Sequence, residues 1–430
     1  MQRLTTFLTI CGLLASTYVY GQKLSSKEKK ILGLVEKYNE EALSFLEEVV
    51  NINSGTMNHK GVKKTGMAFK EAFEEIGFEA NWIDMPAEVE RAGHLFTEIK
   101  GKKGKRLLLI GHLDTVFEED SPFQKFKKQD SIAWGPGAND MKGGNVVMLY
   151  ALKALKEADA LDNAQIIVAL HGDEEDTGDP LEISRRDIIE AAKRSDIALG
   201  FETASGFDYA TVARRGSSGW KVEVTGKRAH SSGVFSQRVG AGAIFEMARI
   251  LNAFYEEVRG EEYLTFNPGV ILGGTFVEFE EALSKGDAFG KSNVVSQTAV
   301  VTGGLRFISE AQKERARAKM REIVKNNLPN TSATISFTDS YPAMQPTEGN
   351  MEVLKVLNQV SLDLGQGEVK PYDPGRRGAA DISFVAEYVD GLDGLGTMGR
   401  GAHTPNEYLD LRTFEALTKR TAILIYRLTR

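Results

Sequence analysis

Three short apolar runs, separated by segments with helical periodicity, constrain the fold of this chain most strongly. The runs are RLLLI at 106–110, IIVAL at 166–170 and IALGF at 197–201, and the intervening segments 141–158 and 181–194 have helical spacing. A strand that is apolar along its whole length is buried on both faces, as in parallel sheets covered by helices. The pattern therefore predicts an α/β fold with a mostly parallel sheet and helices on both of its faces.

The pattern changes after Arg214, where apolar and polar residues begin to alternate. The segments that follow, in the order β-α-β-β-α-β, are 217–226, 238–258, 263–278, 293–308, 309–328 and 331–340. This order is typical of the ferredoxin-like split arrangement. We therefore predict an inserted ferredoxin-like α+β domain at 214–341. The main domain then consists of 22–213 and 342–430, with further helices at 24–50, 62–77, 350–364 and 411–428.

The first 21 residues have the pattern of a secretory signal peptide. Arg3 precedes an apolar stretch at 7–15, and small residues precede Gln22. We expect residues 1–21 to be removed and the mature protein to be secreted or periplasmic, with no other membrane-spanning stretch; a buried N-terminal helix is the alternative. The single cysteine, Cys11, leaves with this segment, so a metal site in the mature chain must use His, Asp and Glu. A net charge of −7 gives no reason to expect nucleic-acid binding.

Polar residues that can bind metal follow each of the three predicted strands. His112 follows the first strand, Glu174 and Glu175 lie in HGDEED after the second, and Glu202 follows the third. Because the carboxyl ends of parallel strands meet at one edge of a sheet, we expect these side chains to face one crevice. Asp114, two residues after His112, points to the same side of an extended chain and can orient the imidazole. A solvated acidic loop is the alternative interpretation of HGDEED.

Two glycine-rich loops offer further ligands. GPGANDMKGG at 135–144 contains Asp140, which is either a helix N-cap or a carboxylate that bridges two metal ions. GRGAHTP at 399–405 contains His403. Spaced carboxylates with two histidines and no cysteine match a dinuclear site of nitrogen and oxygen ligands.

The ordered motifs GHLDTV, GANDMKGG, DEED, FET, GKRAHSSG and GRGAHTPNE resemble those of the di-zinc peptidase and aminoacylase family. That family includes glutamate carboxypeptidase, succinyl-diaminopimelate desuccinylase, acetylornithine deacetylase and aminoacylase. The resemblance covers nearly the whole mature chain. It implies a catalytic α/β domain with an inserted lid and dimerisation domain, two Zn²⁺ per chain with Co²⁺ or Mn²⁺ as substitutes, a small peptide or N-acyl amino acid substrate, and a homodimer.

The resemblance also implies roles for individual residues. His112, Asp140 and Glu202 would bind one zinc, and Asp140, Glu175 and His403 the other. Asp114 would orient His112, Glu174 would be the general acid and base, and the peptide bond after Asp140 would be cis. His230 would stabilise the oxyanion across the interdomain cleft, often from the partner subunit.

Substrate-binding residues are expected in two places. Asn293 and Arg306 match lid positions near the substrate carboxylate, although Arg306 is equally a solvated strand residue. Arg376 and Arg377 lie on a glycine loop and could clamp a carboxylate, but they depart from the small or polar residues expected there. For the three other histidines, His59, His94 and His171, only a surface or structural role is indicated.

The leading hypothesis is an exported zinc-dependent hydrolase of an amide bond, first of all a glutamate-carboxypeptidase-like metallocarboxypeptidase. An N-acyl amino acid deacylase or a dipeptidase is second. A periplasmic solute-binding protein of two α/β lobes is the hypothesis from another class. A solute-binding protein does not require the acidic run DEED beside two distant histidines. The metal content of the purified protein distinguishes this hypothesis from the hydrolase. A non-catalytic relative of the family is the third hypothesis. It is disfavoured because this sequence has a suitable residue at every metal-binding and general-base position of the family.

Overall fold

This computed structural model describes residues 24–281 and 283–430. The predicted signal peptide at 1–21 lies outside the described residues. Among the helices of the described part, none combines the length and the apolar character that crossing a membrane requires.

The elements of the described residues are as follows. The helices are α1 (Ser26–Val50), α2 (His59–Glu75), α3 (Lys142–Glu157), α4 (Leu181–Ser184), α5 (Arg186–Lys193), α6 (Ala243–Glu257), α7 (Glu310–Lys325), α8 (Glu348–Asp363) and α9 (Leu411–Leu428). The strands are β1 (Glu79–Asp84), β2 (Gly93–Ile99), β3 (Lys103–His112), β4 (Lys127–Gln129), β5 (Ile132–Trp134), β6 (Ala164–His171), β7 (Ile197–Gly200), β8 (Tyr209–Ala210), β9 (Gly216–Gly226), β10 (Thr265–Gly274), β11 (Phe276–Glu280), β12 (Lys285–Phe289), β13 (Thr298–Phe307), β14 (Thr331–Asp339), β15 (Lys370–Pro371), β16 (Asp390–Leu392), β17 (Gly399–Arg400) and β18 (Tyr408–Asp410).

The main sheet has the strand order β1-β2-β6-β3-β7-β16. The four strands β6, β3, β7 and β16 are parallel, whereas β1 and β2 add an antiparallel edge. Side chains of β3 alternate between two hydrophobic cores: Leu107 and Leu109 pack in one, and Leu108 and Ile110 in the other. The first core includes α1, α2, α3, α8 and α9, and the second includes α5. The predicted α/β fold with helices on both faces of the sheet is confirmed.

The inserted unit has its own sheet and its own core. Its strand order is β10-β13-β9-β14, and all its pairs are antiparallel. Together with the chain order β9-α6-β10-β13-α7-β14, this is the predicted ferredoxin-like arrangement. Trp220, Val222 and Val224 of β9 pack against Met247 and Ile250 of α6 in a core separate from that of the main sheet. The exact limits 214 and 341 stay a prediction.

Several predicted elements differ in detail from the observed ones. The helix predicted at 181–194 is two helices that meet at Arg185, whose side chain is buried. The helix predicted from 238 begins at Ala243, because Gly240 and Gly242 adopt φ of 78° and 82°, a left-handed region that interrupts a helix. The long strand predicted at 263–278 is divided at Thr275, and β12, which pairs with β11, was not predicted.

Candidate metal centre

The main sheet brings three of the predicted ligands to one edge. His112 is the last residue of β3 and pairs in register with His171, the last residue of β6. Ile110 of β3 pairs with Gly200, the last residue of β7. The loop after β6, which carries Glu175, therefore begins beside His112. Glu202, which follows β7, lies at the same edge, as the strand order predicts.

The other two ligands come from loops attached to the small sheet β17-β18-β5-β4. Buried Glu407, next to β18, accepts hydrogen bonds from the main-chain N–H groups of Asn139 and Asp140 at 2.9 and 3.0 Å. Gly399 of β17 packs against the same loop so closely that a Cβ atom would lie 2.7 Å from the Asn139 side chain, and 1.8 Å from a main-chain oxygen of Tyr408. The peptide bond between Asp140 and Met141 is cis, as the resemblance implies.

Five side chains form two donor clusters that share Asp140. In the first cluster, Nε2 of His112 lies 3.6 Å from Oδ1 of Asp140 and 3.7 Å from Oε1 of Glu202. In the second, Nε2 of His403 lies 3.4 Å from Oδ2 of Asp140 and 3.1 Å from Oε2 of Glu175. Within each cluster one ligand atom per residue lies within 4.8 Å of the others. The two oxygens of one carboxylate thus face two neighbouring sites, as in a dinuclear centre.

The donor set fits a pair of divalent cations. Among the described residues, the buried Nε2 of His112 has no hydrogen-bond partner, and it is directed at carboxylates of the first cluster. On the other side of the ring, Nδ1 lies 3.1 Å from the main-chain oxygen and 3.3 Å from Oδ1 of Asp114. If Nδ1 carries the proton, Nε2 keeps its lone pair for a metal. Imidazole and carboxylate donors without thiolates are typical of zinc sites with open positions.

Asp114 also fixes the loop that carries the acidic run. Its two carboxylate oxygens accept hydrogen bonds from the main-chain N–H groups of Glu174 and Glu175, each at 3.1 Å, and from the Thr56 hydroxyl at 2.7 Å. The residue expected to orient His112 therefore holds two strand ends together. This second role was not predicted.

The electrostatics of the centre reflect crowded carboxylates. Burial raises the pKa of Glu174, and the charge of Glu202 raises it further. Burial and the charge of Asp140 raise the pKa of Glu202 to about 8. Hydrogen bonds with Asp140 and Glu175 raise the pKa of His403 to about 11. Bound cations would neutralise this mutual repulsion.

Glu174 stands beside the two clusters without belonging to either. Its carboxylate makes no hydrogen bond to any described residue. The neighbouring carboxylates of Asp114 and Asp140 raise the pKa of His112 despite burial, and the charge of Glu174 raises that pKa further. The geometry therefore leaves this carboxylate available to a molecule held at the centre.

The predicted lid residues lie outside both clusters. His230 is exposed, and its Nδ1 lies 2.9 Å from the Ser232 hydroxyl in its own loop. The main-chain oxygen of Asn293 accepts a hydrogen bond from Ser231 at 2.9 Å, so Asn293 and His230 are neighbours. Arg306 is exposed on β13.

The two arginines of the 374–378 loop differ. Arg376 is exposed and lies over the ring of Tyr372 at 5.3 Å. Arg377 donates to the main-chain oxygen of Thr203 at 2.5 Å and to the hydroxyl of Ser205 at 3.0 Å. Its side chain thus fixes the segment directly after Glu202.

Sequence reasoning missed several buried residues around the centre. Arg214 forms an ion pair of 2.6 Å with Asp393, which follows β16 at the same sheet edge as Glu202. Nδ1 of His171 lies 2.6 Å from Oδ2 of Asp381, and the rings of His94 and His171 are tilted by 45° with centroids 4.4 Å apart. Both histidines, for which only a surface or structural role was indicated, are buried. Glu407 is the last residue of the motif GRGAHTPNE, but no role was assigned to it.

Comparison with known proteins agrees with this geometry. A model of the peptidase family M20/M25/M40 matches residues 108–427. Carboxypeptidase G2 of Pseudomonas sp. (strain RS-16) is 26% identical over 411 residues, which cover 94% of this chain and 93% of that protein. A probable succinyl-diaminopimelate desuccinylase of Staphylococcus aureus (strain MRSA252) is 22% identical over 397 residues, covering 86% of this chain and 93% of that protein.

The fold is shared with solved structures. The crystal structure of a dinuclear metal-binding peptidase of the M20 family from Bacillus subtilis superimposes with a TM-score of 0.63 and 15% identity, covering 92% of this chain and 99% of that chain. The family match and the converging donors together select a hydrolase over a solute-binding protein. The chain belongs to the peptidase family M20/M25/M40, whose members are metallohydrolases of peptides or acyl amino acids, and it carries a candidate dinuclear metal site.

Proposed function

We propose that this protein is a two-zinc carboxypeptidase that releases an amino acid with a free carboxylate from a peptide or a peptide-like conjugate. The observation that carries the proposal is the placement of Asp140, whose two oxygens face His112 and His403 from opposite sides. His112, Asp140 and Glu202 would hold one metal ion, and Asp140, Glu175 and His403 the other. When bound, the two cations lower the pKa of water and polarise the amide carbonyl.

Glu174 is the proposed general acid and base. Its carboxylate adjoins both clusters and is not engaged by other described residues. It accepts a proton from the attacking water and then returns that proton to the leaving nitrogen. Asp114 supports both functions, because it orients His112 and holds the main chain at Glu174.

The carboxylate of the leaving amino acid is assigned to the inserted unit. Asn293 and Arg306 supply an amide and a guanidinium there, and neighbouring His230 is the proposed donor to the oxyanion. Of the two loop arginines, Arg376 has the more accessible guanidinium for a substrate carboxylate, because Arg377 is engaged with Thr203 and Ser205.

A hydrolysis screen tests the proposal. N-acyl amino acids, folyl-type conjugates and dipeptides are incubated with the zinc-loaded protein and with the chelated protein. We expect turnover that disappears with the chelator, and a loss of about 100- to 10,000-fold in Glu174→Gln with both metals retained. Asp176→Asn is the matched control, since Asp176 belongs to the same acidic run but pairs with Arg91 outside the clusters. Near-native turnover in Glu174→Gln removes Glu174 from this role.

A deacylase of N-acyl amino acids is the second candidate, favoured by the desuccinylase relative. The same screen separates the two, because a deacylase prefers small acyl groups over peptides and folyl-type conjugates.

We also propose that the protein is exported and forms a homodimer. The pattern of residues 1–21 supports export, and N-terminal sequencing of the cell-derived protein would test it, with a start at Gln22 expected. Support for the dimer comes from exposed apolar side chains of the inserted unit: Phe235 and Phe245 are 69% and 55% exposed, with ring centroids 5.5 Å apart. Light scattering should give twice the chain mass for the wild type and a monomer for Phe245→Glu; a wild-type monomer contradicts the dimer.

A further inference from the structure

A cavity of about 640 Å³ opens directly beside the two donor clusters. Its wall includes the residue before Asp140, the residue after Glu202 and the residue before His403. A substrate whose amide bond lies at the clusters therefore extends into this cavity. The substrate specificity of this cavity rests on the proposed function, because it presupposes that an amide bond is cleaved at the clusters.

The wall of the cavity has an uncompensated positive charge. Its charged side chains are Arg400, Asp410 and Arg412. Arg412 forms an ion pair with Asp410, with Nη2 2.5 Å from Oδ2. Arg400 is exposed, and its guanidinium forms no hydrogen bond or ion pair with any residue in the described ranges. One cation of the lining thus has no partner among the described residues.

The neighbouring wall does not cancel this charge. Ser205 and Tyr372 line the cavity with hydroxyl groups. Behind them, Arg377 donates its hydrogen bonds to neutral oxygens of Thr203 and Ser205. A second guanidinium, whose hydrogen bonds within the described part of the chain all go to neutral oxygens, therefore lies beside the cavity. Because Asp410 is paired with Arg412, the charge of Arg400 remains, and a positive charge in a cleft attracts ligands of the opposite sign.

We propose that this cavity binds a carboxylate on the acyl part of the substrate, and that Arg400 is the residue that determines this specificity. The proposed function places the carboxylate of the leaving amino acid with Asn293 and Arg306 of the inserted unit. The cavity of the main domain, where Arg376 lies over the ring of Tyr372, therefore receives the acyl part. A guanidinium can pair with a carboxylate through two parallel hydrogen bonds. Its planar fork makes this recognition more specific than a lysine would.

An isosteric substrate pair tests the inference. N-Acetyl-glutamyl and N-acetyl-glutaminyl dipeptides, built on the leaving amino acid that the hydrolysis screen identifies, differ by one charge on the acyl side. We expect the wild type to hydrolyse the glutamyl substrate with a kcat/KM about 10- to 100-fold higher. Arg400→Gln should bring the ratio close to one by slowing the glutamyl substrate alone, and Arg400→Lys should restore part of it.

Arg186→Gln is the matched control, because Arg186 is an exposed arginine of α5 whose contact is with neighbouring Asp187. It should keep the wild-type ratio. Equal rates for the two substrates in the wild type, or a ratio that Arg400→Gln leaves unchanged, overturn the inference and leave the proposed function intact. If no amide of the screen is hydrolysed, the proposed function fails and this inference fails with it.

Discussion

The hydroxyl of Tyr341 donates a hydrogen bond of 2.7 Å to the main-chain oxygen of Glu174. The same hydroxyl lies 2.7 Å from Oγ1 of Thr177. Tyr341 follows β14, the last strand of the inserted unit, and its main-chain oxygen accepts a hydrogen bond from Ser217 of β9 at 2.8 Å. The linker between the two parts of the protein is therefore bonded to the loop that carries the proposed base.

Tyr341→Phe removes the bond to Glu174 together with the contact to Thr177, and it leaves the ring in place. Because a hydrogen bond of this kind contributes about 1 kcal/mol, we expect a loss of about that size in the free energy of unfolding and a fall of about fivefold in kcat. KM should change less than kcat, since Tyr341 positions Glu174 and touches no substrate. Thr177→Val is the control and should keep the wild-type kcat, because the bond to Glu174 survives. Equal losses in the two variants would assign Tyr341 a purely structural role.

Asp114→Asn should weaken metal binding. In the variant, one carboxylate oxygen is replaced by an NH₂ group, which cannot accept the hydrogen bond from the main-chain N–H of Glu174 or Glu175. The neutral amide also no longer orients His112 through its charge. Removal of such a supporting carboxylate costs about 10- to 100-fold in metal affinity. Competition with a chromophoric zinc chelator measures the effect, and Thr56→Val, which loses one neutral donor to Asp114, should stay within a few-fold of the wild type. Wild-type affinity in Asp114→Asn contradicts the assignment.

Buried His94 should make the fold sensitive to acid. Burial and the neighbouring His171 ring lower the pKa of His94 to about 3. The unfolded chain takes up this proton near pH 6.5, so between about pH 6.5 and 3 it binds more protons than the folded chain. The stabilisation is present above pH 6.5 and declines by about 1.4 kcal/mol per unit as the pH falls. Urea unfolding of the chelated protein at pH 7, 6, 5 and 4 should show a shallower decline in His94→Gln; an unchanged slope refutes the prediction.

The ion pair between Arg214 and Asp393 should be essential for stability, because both side chains are buried. Removing one partner of a buried pair leaves an unpaired charge and costs about 3–5 kcal/mol. We expect that loss in Arg214→Met and a partial recovery when Asp393→Asn is added. Arg106→Met is the surface control, since the ion pair of Arg106 with Asp196 is partly exposed, and its loss should be at most about 1 kcal/mol. Chemical unfolding compares the variants.

The sequence was sufficient to predict the strands that carry the candidate centre and most of its candidate ligands. His112, Glu175 and Glu202 follow apolar runs, and parallel strands must bring their carboxyl ends together. His403 and Asp140 lie in glycine-rich loops next to the small sheet β17-β18-β5-β4. The strands of this sheet are only two or three residues long, so the sequence shows no strong periodicity there. The residue types of the sequence indicated a dinuclear site, whereas the assignment of each residue to one of two metal ions rested on the resemblance to a family.

The buried supporting residues could not be predicted because their partners are distant in the chain. Arg214 pairs with a residue 179 positions away, and Tyr341 with a main-chain atom 167 positions away. Neither contact produces a periodic pattern in the sequence, and an arginine between two strands is expected to be exposed to solvent. The break at Arg185 has the same origin, because its pairing with Asp173 and Asp381 overrides the helical periodicity of 181–194.

Metal content measured with the site variants tests the central claim most directly. Purified protein reconstituted with zinc and freed of excess metal is analysed by inductively coupled plasma mass spectrometry. The geometry predicts about two zinc ions per chain in the wild type and about one in His403→Ala, which leaves the His112 cluster complete. In Asp140→Ala, binding at both positions should be lost or severely weakened, because both clusters share that carboxylate. A wild-type protein that retains one ion or none, or an Asp140→Ala variant that retains both, would contradict a centre shared through Asp140.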